Sequence, residues 1–182
     1  MKLVVVTGRH NSKCASRTLV RQFVAGVEEA GHNAFLFDAT EEMPAPCLGC
    51  GRCGQGKSDC VRKGGDGMSG LARELSEAEG VVFIVPLNDS GMPDDLKVAI
   101  DRIHFTHFRW KDGGRKTLLI FSTREADDIA AHTLTERYKR IVETLEWRDG
   151  GILEARGCTT RADIENSEYS AQARRMGLTF SE

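Results

Sequence analysis

Short apolar segments alternate with amphipathic segments along almost the whole chain, and this alternation limits the folds that are open to it. Apolar, β-branched runs predict five strands, over Lys2–Thr7, Ala34–Asp38, Gly80–Pro86, Thr117–Phe121 and Gly151–Cys158. Apolar residues at intervals of three or four predict helices over about 16–30, 68–78, 94–107, 134–145 and 167–176. Strands that are separated by helices run parallel in one sheet, and the helices cover both of its faces.

This order of elements predicts an α/β fold of the flavodoxin-like type, a three-layer sandwich around a five-stranded parallel sheet with strand order 2-1-3-4-5. The 182 residues suit a single domain over 1–182, with a cysteine-rich loop at about 39–65. Sheets of this kind bind ligands beyond the carboxyl ends of their strands. The candidate functional loops are therefore those at 8–15, 39–65, 87–93 and 122–131.

Charge and hydropathy exclude several classes of partner. The net charge of −2 gives no basic field for nucleic acid, and no apolar stretch is long enough to span a membrane. The first apolar run is short and resembles a buried strand rather than a signal peptide. We therefore expect a cytoplasmic protein, whose cysteines serve metal or redox chemistry because a reducing compartment disfavours disulfides.

Four of the six cysteines lie within fourteen residues, at Cys47, Cys50, Cys53 and Cys60, with glycines between them. Thiolates at this spacing in a glycine-rich loop can converge on one point. Four closely spaced cysteines are the usual ligand set of a [4Fe–4S] cluster, which is the metal group that we predict. Spacing alone does not fix the metal, so a zinc site and a thiol–disulfide switch remain open.

The loop between the first strand and the first helix is rich in hydroxyl groups and positive charge. A helix N-terminus offers backbone N–H groups and a partial positive charge, so this loop can hold a phosphate. The alternative is a polar turn in which Ser16 caps the helix. Neither the dinucleotide-binding nor the Walker glycine pattern is present. The candidate phosphate-binding residues are Arg9, Asn11, Ser16, Arg17 and Thr18.

The loops after the third and fourth strands are candidates for contact with a planar ligand, because they supply backbone groups at the same edge of the sheet. The alternative for the first of them is a simple turn before a helix, with Pro93 at its start and acidic residues in its first turn. The candidate residues in these two loops are Pro86, Leu87, Asn88, Asp89, Ser122 and Thr123.

These motifs resemble the NAD(P)H-dependent FMN reductase family of flavodoxin-like proteins, and in particular its iron–sulfur flavoproteins. The family's P-C-x-G-C-x-x-C segment with a later cysteine is similar to Pro46–Cys53 with Cys60. Its L-K-x-x-I-D-R helix is similar to Leu96–Arg102, and its first loop, G-S-P-R-x-x-G-N-T, has the same length as Gly8–Ser16. The resemblance covers almost the whole chain, and the cysteine segment and the L-K…D-R helix are its most specific parts.

The resemblance implies an FMN-dependent oxidoreductase that passes electrons between a reduced donor such as NAD(P)H, FMN and a [4Fe–4S] cluster on the four cysteines. It places the FMN phosphate on residues 8–18 and the ring against 86–92 and 122–125. It implies no catalytic acid or base. It also implies a small-molecule or small-protein redox partner, such as a ferredoxin-like protein, and assembly into a homodimer or homotetramer.

The chain departs from the family pattern at several positions of the expected flavin site. The family's Ser, Pro and Arg in the first loop become Arg9, His10 and Asn11, and its loop tyrosine becomes Asn88. Ser16 keeps the hydroxyl of the phosphate-binding threonine, and a guanidinium at Arg9 suits a phosphate. A second hypothesis therefore stands beside the first: the same fold with a degenerate flavin site, binding zinc or a cluster without reductase activity.

Overall fold

The computed structural model contains a five-stranded parallel sheet with helices on both faces, described for residues 1–8, 13–53, 60–62, 66–87, 91–105, 114–124 and 128–182. The strands are β1 (Lys2–Thr7), β2 (Asn33–Asp38), β3 (Gly80–Pro86), β4 (Lys116–Ser122) and β5 (Arg148–Ala155). The helices are α1 (Ala15–Glu29), α2 (Ala39–Glu42), α3 (Met68–Glu77), α4 (Asp94–Phe105), α5 (Asp128–Leu145), α6 (Arg161–Glu165) and α7 (Tyr169–Leu178). The strand order is β2-β1-β3-β4-β5, which confirms the predicted fold.

The sheet is buried on both faces, which explains why its central strands are continuous apolar runs rather than alternating ones. Val4 and Val6 of β1 face the core layer formed with α3, α4 and α5. Leu3 and Val5 face the other layer, formed with α1, α6 and α7. Within the described ranges, none of the helices combines the length and the apolar character that a membrane span requires.

The last strand begins three residues earlier than its sequence predicts, at Arg148 rather than Gly151. The polar pair at 148–149 and the two glycines that follow resemble a turn, but Arg148 pairs with Lys116 of β4. The register shifts after this pairing, and a Cβ atom on Gly150 would lie 2.8 Å from the Leu118 side chain. Gly151 has φ +113°, which a residue with a side chain rarely adopts. Pairing with β4 therefore decides this boundary.

Two glycines allow α1 and α7 to cross with their backbones in contact. A Cβ atom on Gly26 would overlap the carbonyl oxygen of Arg174, and one on Gly177 would overlap the carbonyl oxygen of Phe23. Beyond the crossing, Phe180 packs edge-on against Phe23, with ring centroids 6.3 Å apart. The close approach fixes how the C-terminal helix docks on the helix that follows the first loop.

We expect the substitution Gly177→Ala to lower the free energy of unfolding by about 1–3 kcal/mol, because the added methyl group forces the two helix backbones apart. Gly70→Ala is the matched control, since Gly70 lies within α3 and a Cβ atom there meets nothing within 4 Å. The control should stabilise the protein by about 0.5–1 kcal/mol through helix propensity. Urea denaturation monitored by circular dichroism measures both, and equal stability of the two variants would contradict the prediction.

Candidate functional site

The carboxyl ends of β1 and β3 form the point at which the chain reverses direction across the sheet. The helix after β1 lies on one face and the helix before β3 lies on the other, which opens a crevice between the two strand ends. Gly8 leaves β1 in this crevice. A Cβ atom there would lie 3.2 Å from the Cβ of Leu96 and 3.4 Å from the Cβ of Ala39. The first loop therefore starts directly beside the first turn of α4 and the start of α2.

The first loop enters α1 at Ala15, one residue earlier than expected, and the alternative in which Ser16 caps the helix is wrong. The N-cap is Cys14, and its side chain makes no capping hydrogen bond to the helix. Ser16 lies inside the first turn, fully buried, with its hydroxyl 3.2 Å from the Cys14 Sγ. The start of α1 stays a candidate phosphate site on general grounds, because the N–H groups and the partial positive charge of a first helical turn can bind an anion.

The segment that follows β5 supports the exit of the first loop, although the two are far apart in the sequence. The Ala15 N–H donates to the carbonyl oxygen of Thr159 at 3.1 Å, and the Arg161 N–H donates to the carbonyl oxygen of Lys13 at 2.7 Å. Cys14 thus forms an isolated antiparallel bridge with Thr160. The exit of the first loop is fixed by a segment about 145 residues away in sequence, a contact that sequence reasoning did not predict.

A capping box holds this supporting segment in place. The Asp163 carboxylate accepts hydrogen bonds from the N–H groups of Thr160 at 2.7 Å and Thr159 at 2.9 Å, while the Thr160 hydroxyl accepts the N–H of Asp163. These backbone hydrogen bonds, that of Thr160 first, hold the pKa of Asp163 below its usual value. The T-x-x-D pattern at 160–163 is the sequence signal that identifies such a box.

The loops after β3 and β4 begin side by side. The Leu87 N–H donates to the carbonyl oxygen of Ser122 at 2.8 Å, and the Thr123 N–H donates to the carbonyl oxygen of Ala155 at 3.1 Å. The side chains of Leu87, Ser122 and Thr123 are buried, and Pro86 is half-buried. Backbone hydrogen bonds therefore hold the ends of β3, β4 and β5 together at this edge of the sheet.

The cysteine segment follows α2 and carries two sharp turns that require glycine. Gly49 has φ +63° and Gly51 has φ +70°, both in the left-handed region. The Gly49 N–H donates to the Cys47 Sγ at 3.4 Å. Cys47 and Cys50 are exposed, whereas Cys53 and Cys60 are half-buried. In the part of the chain that the structure describes, which omits 54–59, no three potential ligands are gathered at metal-binding distance.

A buried ion pair joins the two ends of the cysteine segment to α4. Arg102 of α4 donates to the carboxylate of Asp66, and both side chains are more than 90 % buried. The same guanidinium donates to the carbonyl oxygen of Ala45 at 3.1 Å and reaches the Cys60 Sγ at 3.6 Å. Asp66 in turn accepts the N–H of Ala45. Removing one partner of such a pair costs about 3–5 kcal/mol, because it leaves a buried charge uncompensated.

These features define a flavodoxin-like fold with a crevice at the carboxyl ends of β1 and β3. The sequence profile described as NADPH-dependent FMN reductase matches residues 1–145, and the chain therefore belongs to this family. The match confirms the resemblance inferred from the motifs, and with it the predicted class of FMN reductase-like oxidoreductase. FMN is the cofactor after which the family is described, which supports the expectation of FMN.

The individual proteins that match this chain share low sequence identity with it. An iron–sulfur flavoprotein from Methanocaldococcus jannaschii is 24 % identical over 103 residues, which cover 56 % of this chain and 51 % of that protein. The chain thus matches about half the length of this curated relative. Two solved structures share the fold over the whole chain: an NAD(P)H:quinone oxidoreductase from Methanothermobacter marburgensis (16 % identity, 100 % of this chain and 96 % of that one, TM-score 0.71) and an FMN-dependent NADH-azoreductase from Bacillus anthracis (16 % identity, 100 % of both chains, TM-score 0.73).

The structure brings several of the predicted site residues to one edge of the sheet. Leu87, Ser122 and Thr123 meet at adjacent strand ends. Ser16 and Thr18 are buried in α1, whereas Arg17 is exposed. The sequence did not predict that Arg102 contacts Asp66 and Cys60, although Arg102 lies in the Leu96–Arg102 motif that carried the family resemblance. The predicted residues Arg9, Asn11, Asn88 and Asp89 lie outside the described residues.

We expect Asp163→Ala to weaken FMN binding roughly threefold to tenfold, because the loss of the cap loosens the segment that holds the first loop. Glu165→Ala is the matched control, since this carboxylate pairs with the exposed Arg161 side chain at 2.6 Å in the same helix. Fluorescence titration of FMN at neutral pH measures both dissociation constants.

The loss of stability that Asp163→Ala causes should also depend on pH, and it should shrink as the pH falls. A lowered pKa in the folded state means that the ionised carboxylate contributes at neutral pH, and that this contribution is lost as the pH falls through the folded-state pKa. The variant and the parent protein should therefore converge in stability at acidic pH.

An unchanged dissociation constant for FMN at neutral pH would contradict the binding prediction, since it would show that the first loop keeps its shape without this cap.

Proposed function

We propose that this chain is an FMN-dependent oxidoreductase of the iron–sulfur flavoprotein type, which passes electrons between a reduced donor such as NAD(P)H, FMN and a [4Fe–4S] cluster. The observation that carries the proposal is the family match over residues 1–145, combined with four closely spaced cysteines in the segment from Cys47 to Cys60. The iron–sulfur flavoprotein among the relatives supports the cluster, and FMN-dependent enzymes among the structural neighbours support the flavin.

The residues at the crevice fit FMN. The N-terminus of α1 suits the phosphate, because the N–H groups of a first helical turn and their partial positive charge attract an anion. Gly8, at the start of the first loop, lies close to α4 and α2. The edge formed by Leu87, Ser122 and Thr123 is held by backbone hydrogen bonds and offers the ring a firm surface. Bound there, FMN supplies the exchange between two-electron and one-electron transfer that the chain's own side chains do not provide.

The cysteines fit a metal–sulfur group through the chemistry of their surroundings. Two of the four sulfur atoms already accept hydrogen bonds from N–H donors, Cys47 from the Gly49 backbone and Cys60 from Arg102. N–H donors around ligand sulfur atoms are one of the means by which proteins stabilise iron–sulfur clusters. In this proposal Cys47, Cys50, Cys53 and Cys60 hold the cluster, and the glycine turns between them let the sulfur atoms converge.

A small-molecule or small-protein redox partner and a homodimer or homotetramer belong to the same proposal, on the strength of the family resemblance. Exposed apolar side chains around the cysteine segment support a docking role for this face. Met43 and Leu48 are 75 % and 61 % exposed, respectively, and Val61 is also exposed. Size-exclusion chromatography with light scattering measures the assembly, and a monomer at all concentrations would contradict the oligomer.

Absorbance and metal analysis of protein prepared without oxygen test the proposal. After reconstitution with FMN, iron and sulfide, we expect flavin bands and a broad cluster shoulder, with four iron atoms per chain. Cys50→Ser should abolish the cluster and keep the flavin, because Cys50 is exposed and its replacement disturbs no packing. Cys158→Ala, which changes a buried cysteine outside the segment, should keep both groups.

NAD(P)H consumption by the reconstituted protein measures the reductase activity. A colourless protein that contains zinc and leaves NAD(P)H and FMN unchanged would refute the oxidoreductase and support the alternative metal-binding module. Flavin bands without iron would retain the FMN reductase and refute the cluster. The reductase activity and the iron–sulfur cluster can therefore be refuted separately.

Differential alkylation gives an independent measure of the cysteine site. In the metal-free protein, we expect the exposed Cys47 and Cys50 to react roughly tenfold or more faster than Cys158 at neutral pH. Burial raises the pKa of the Cys158 thiol and shields it, so it stays protonated and inaccessible. Mass spectrometry after brief treatment with iodoacetamide measures each site. Loading with iron and sulfide should then protect the four segment cysteines, and equal labelling with and without metal would contradict the assignment.

A further inference from the structure

Both ends of the cysteine segment meet at one guanidinium. Arg102 contacts Ala45, two residues before Cys47, and it contacts Asp66, six residues after Cys60. It also contacts the Cys60 sulfur itself. The segment that carries all four cysteines is thus closed into a loop whose entry and exit are bound to the same side chain of α4.

Besides closing the loop, Arg102 contacts one of the cysteine sulfur atoms. The contacts with Ala45 and Asp66 are sufficient for closure, and both use the Nη1 atom of Arg102. The Nη2 atom lies 3.6 Å from the Cys60 Sγ, within the longer range that hydrogen bonds to sulfur take. A permanently charged donor is therefore directed at one of the four sulfur atoms, in surroundings where Arg102 is only 7 % exposed.

The shape of the guanidinium explains why arginine suits this position. Its planar fork presents five N–H donors in fixed directions, so one side chain can bind a carbonyl oxygen, a carboxylate and a sulfur atom at once. The ammonium group of a lysine is a compact charge on a flexible stem, and it cannot hold the same three acceptors in this geometry. The ion pair with Asp66 also fixes the orientation of the fork, which directs Nη2 towards Cys60.

We propose that Arg102 is a positioning residue for the metal–sulfur group, acting through its N–H···S hydrogen bond to Cys60. The inference rests on the proposed cluster on Cys47, Cys50, Cys53 and Cys60. Arg102 holds Cys60 in the ligand position, which increases iron retention, and its N–H···S hydrogen bond favours the more negative, reduced state of the cluster. Hydrogen bonds to sulfur and local charge are among the terms that set cluster potentials, and loss of a partner that supports a ligand typically costs 10- to 100-fold in metal affinity.

The helix that carries Arg102 connects this contact with the flavin crevice. Asp95, in the first turn of α4, accepts the hydroxyl hydrogen of Thr40 at 2.7 Å, and Leu96 packs beside Gly8. From Asp94 to Arg102 an α-helix rises about 12 Å. A single rigid element therefore fixes the cysteine segment at one point and the start of the first loop at another.

Arg102→Lys is the variant that tests this role, because it keeps the positive charge beside Asp66 but removes the fork that reaches sulfur. Arg137→Lys is the matched control. Arg137 of α5 also donates to an aspartate of α4, Asp101, but it does not contact the cysteine segment in the described structure. Both variants are reconstituted with iron and sulfide without oxygen. The rate of iron loss to a chelator and the cluster midpoint potential, from a titration followed by electron paramagnetic resonance, are then measured.

We expect Arg102→Lys to lose iron about 10- to 100-fold faster than the parent protein and to show a lower midpoint potential, while Arg137→Lys matches the parent in both. A purely structural role would change the thermal stability of the metal-free protein but not the potential of the molecules that carry a cluster. Unchanged iron loss and potential in Arg102→Lys, with a normal cluster in the parent protein, would overturn this inference alone. A parent protein that takes up no iron would overturn the proposed cluster and the inference together.

A second variant covers the case in which Arg102→Lys does not fold. The double substitution Arg102→Met with Asp66→Leu removes both buried charges, so neither is left uncompensated. We expect it to fold and to lose iron at least as fast as Arg102→Lys. Retention of iron at the parent rate in the folded double variant would likewise overturn the inference.

Discussion

The pairing of β1 with β2 on one side and β3 on the other determines where the candidate site forms. Because all of these strands are parallel, the chain leaves each of them at the same edge of the sheet. The connections on either side of β1 then cross opposite faces, and the crevice between β1 and β3 cannot be filled by a connecting helix. The first loop, the edge after β3 and β4 and the cysteine segment all derive their relative positions from this one constraint.

Helix α4 links the two chemical parts of the site. Its first turn packs beside Gly8 and Ala39, and its third turn carries the arginine that binds the cysteine segment. The helix is itself fixed to the sheet by Leu96, Ile100 and Ile103, which are almost fully buried. An exposed, glycine-rich segment has few apolar contacts of its own, so a buried ion pair with such a helix is an effective means of giving it a defined position.

The sequence predicted the bounds of the strands and helices well where apolar periodicity is strong. It predicted them less well where contacts between distant segments determine the bounds. The bounds of β3 are those expected, because an apolar run of seven residues between Gly80 and Pro86 leaves little choice. The start of β5 was misjudged, because pairing with β4 overrides the turn-like character of residues 148–151. The alternative of a Ser16 cap was wrong, since the N-cap of α1 is Cys14, which pairs with Thr160 in an isolated bridge.

By itself, the sequence determined the fold class, the family and the residue types at the site, since periodicity, spacing and local motifs are properties of neighbouring residues. Only the tertiary structure decided that Arg102 faces Cys60, that Thr159–Arg161 support the first loop, and that Gly177 sits against α1. Each of these contacts joins residues far apart in the chain. Their geometry depends on how the helices pack on the sheet, which no local pattern of residues encodes.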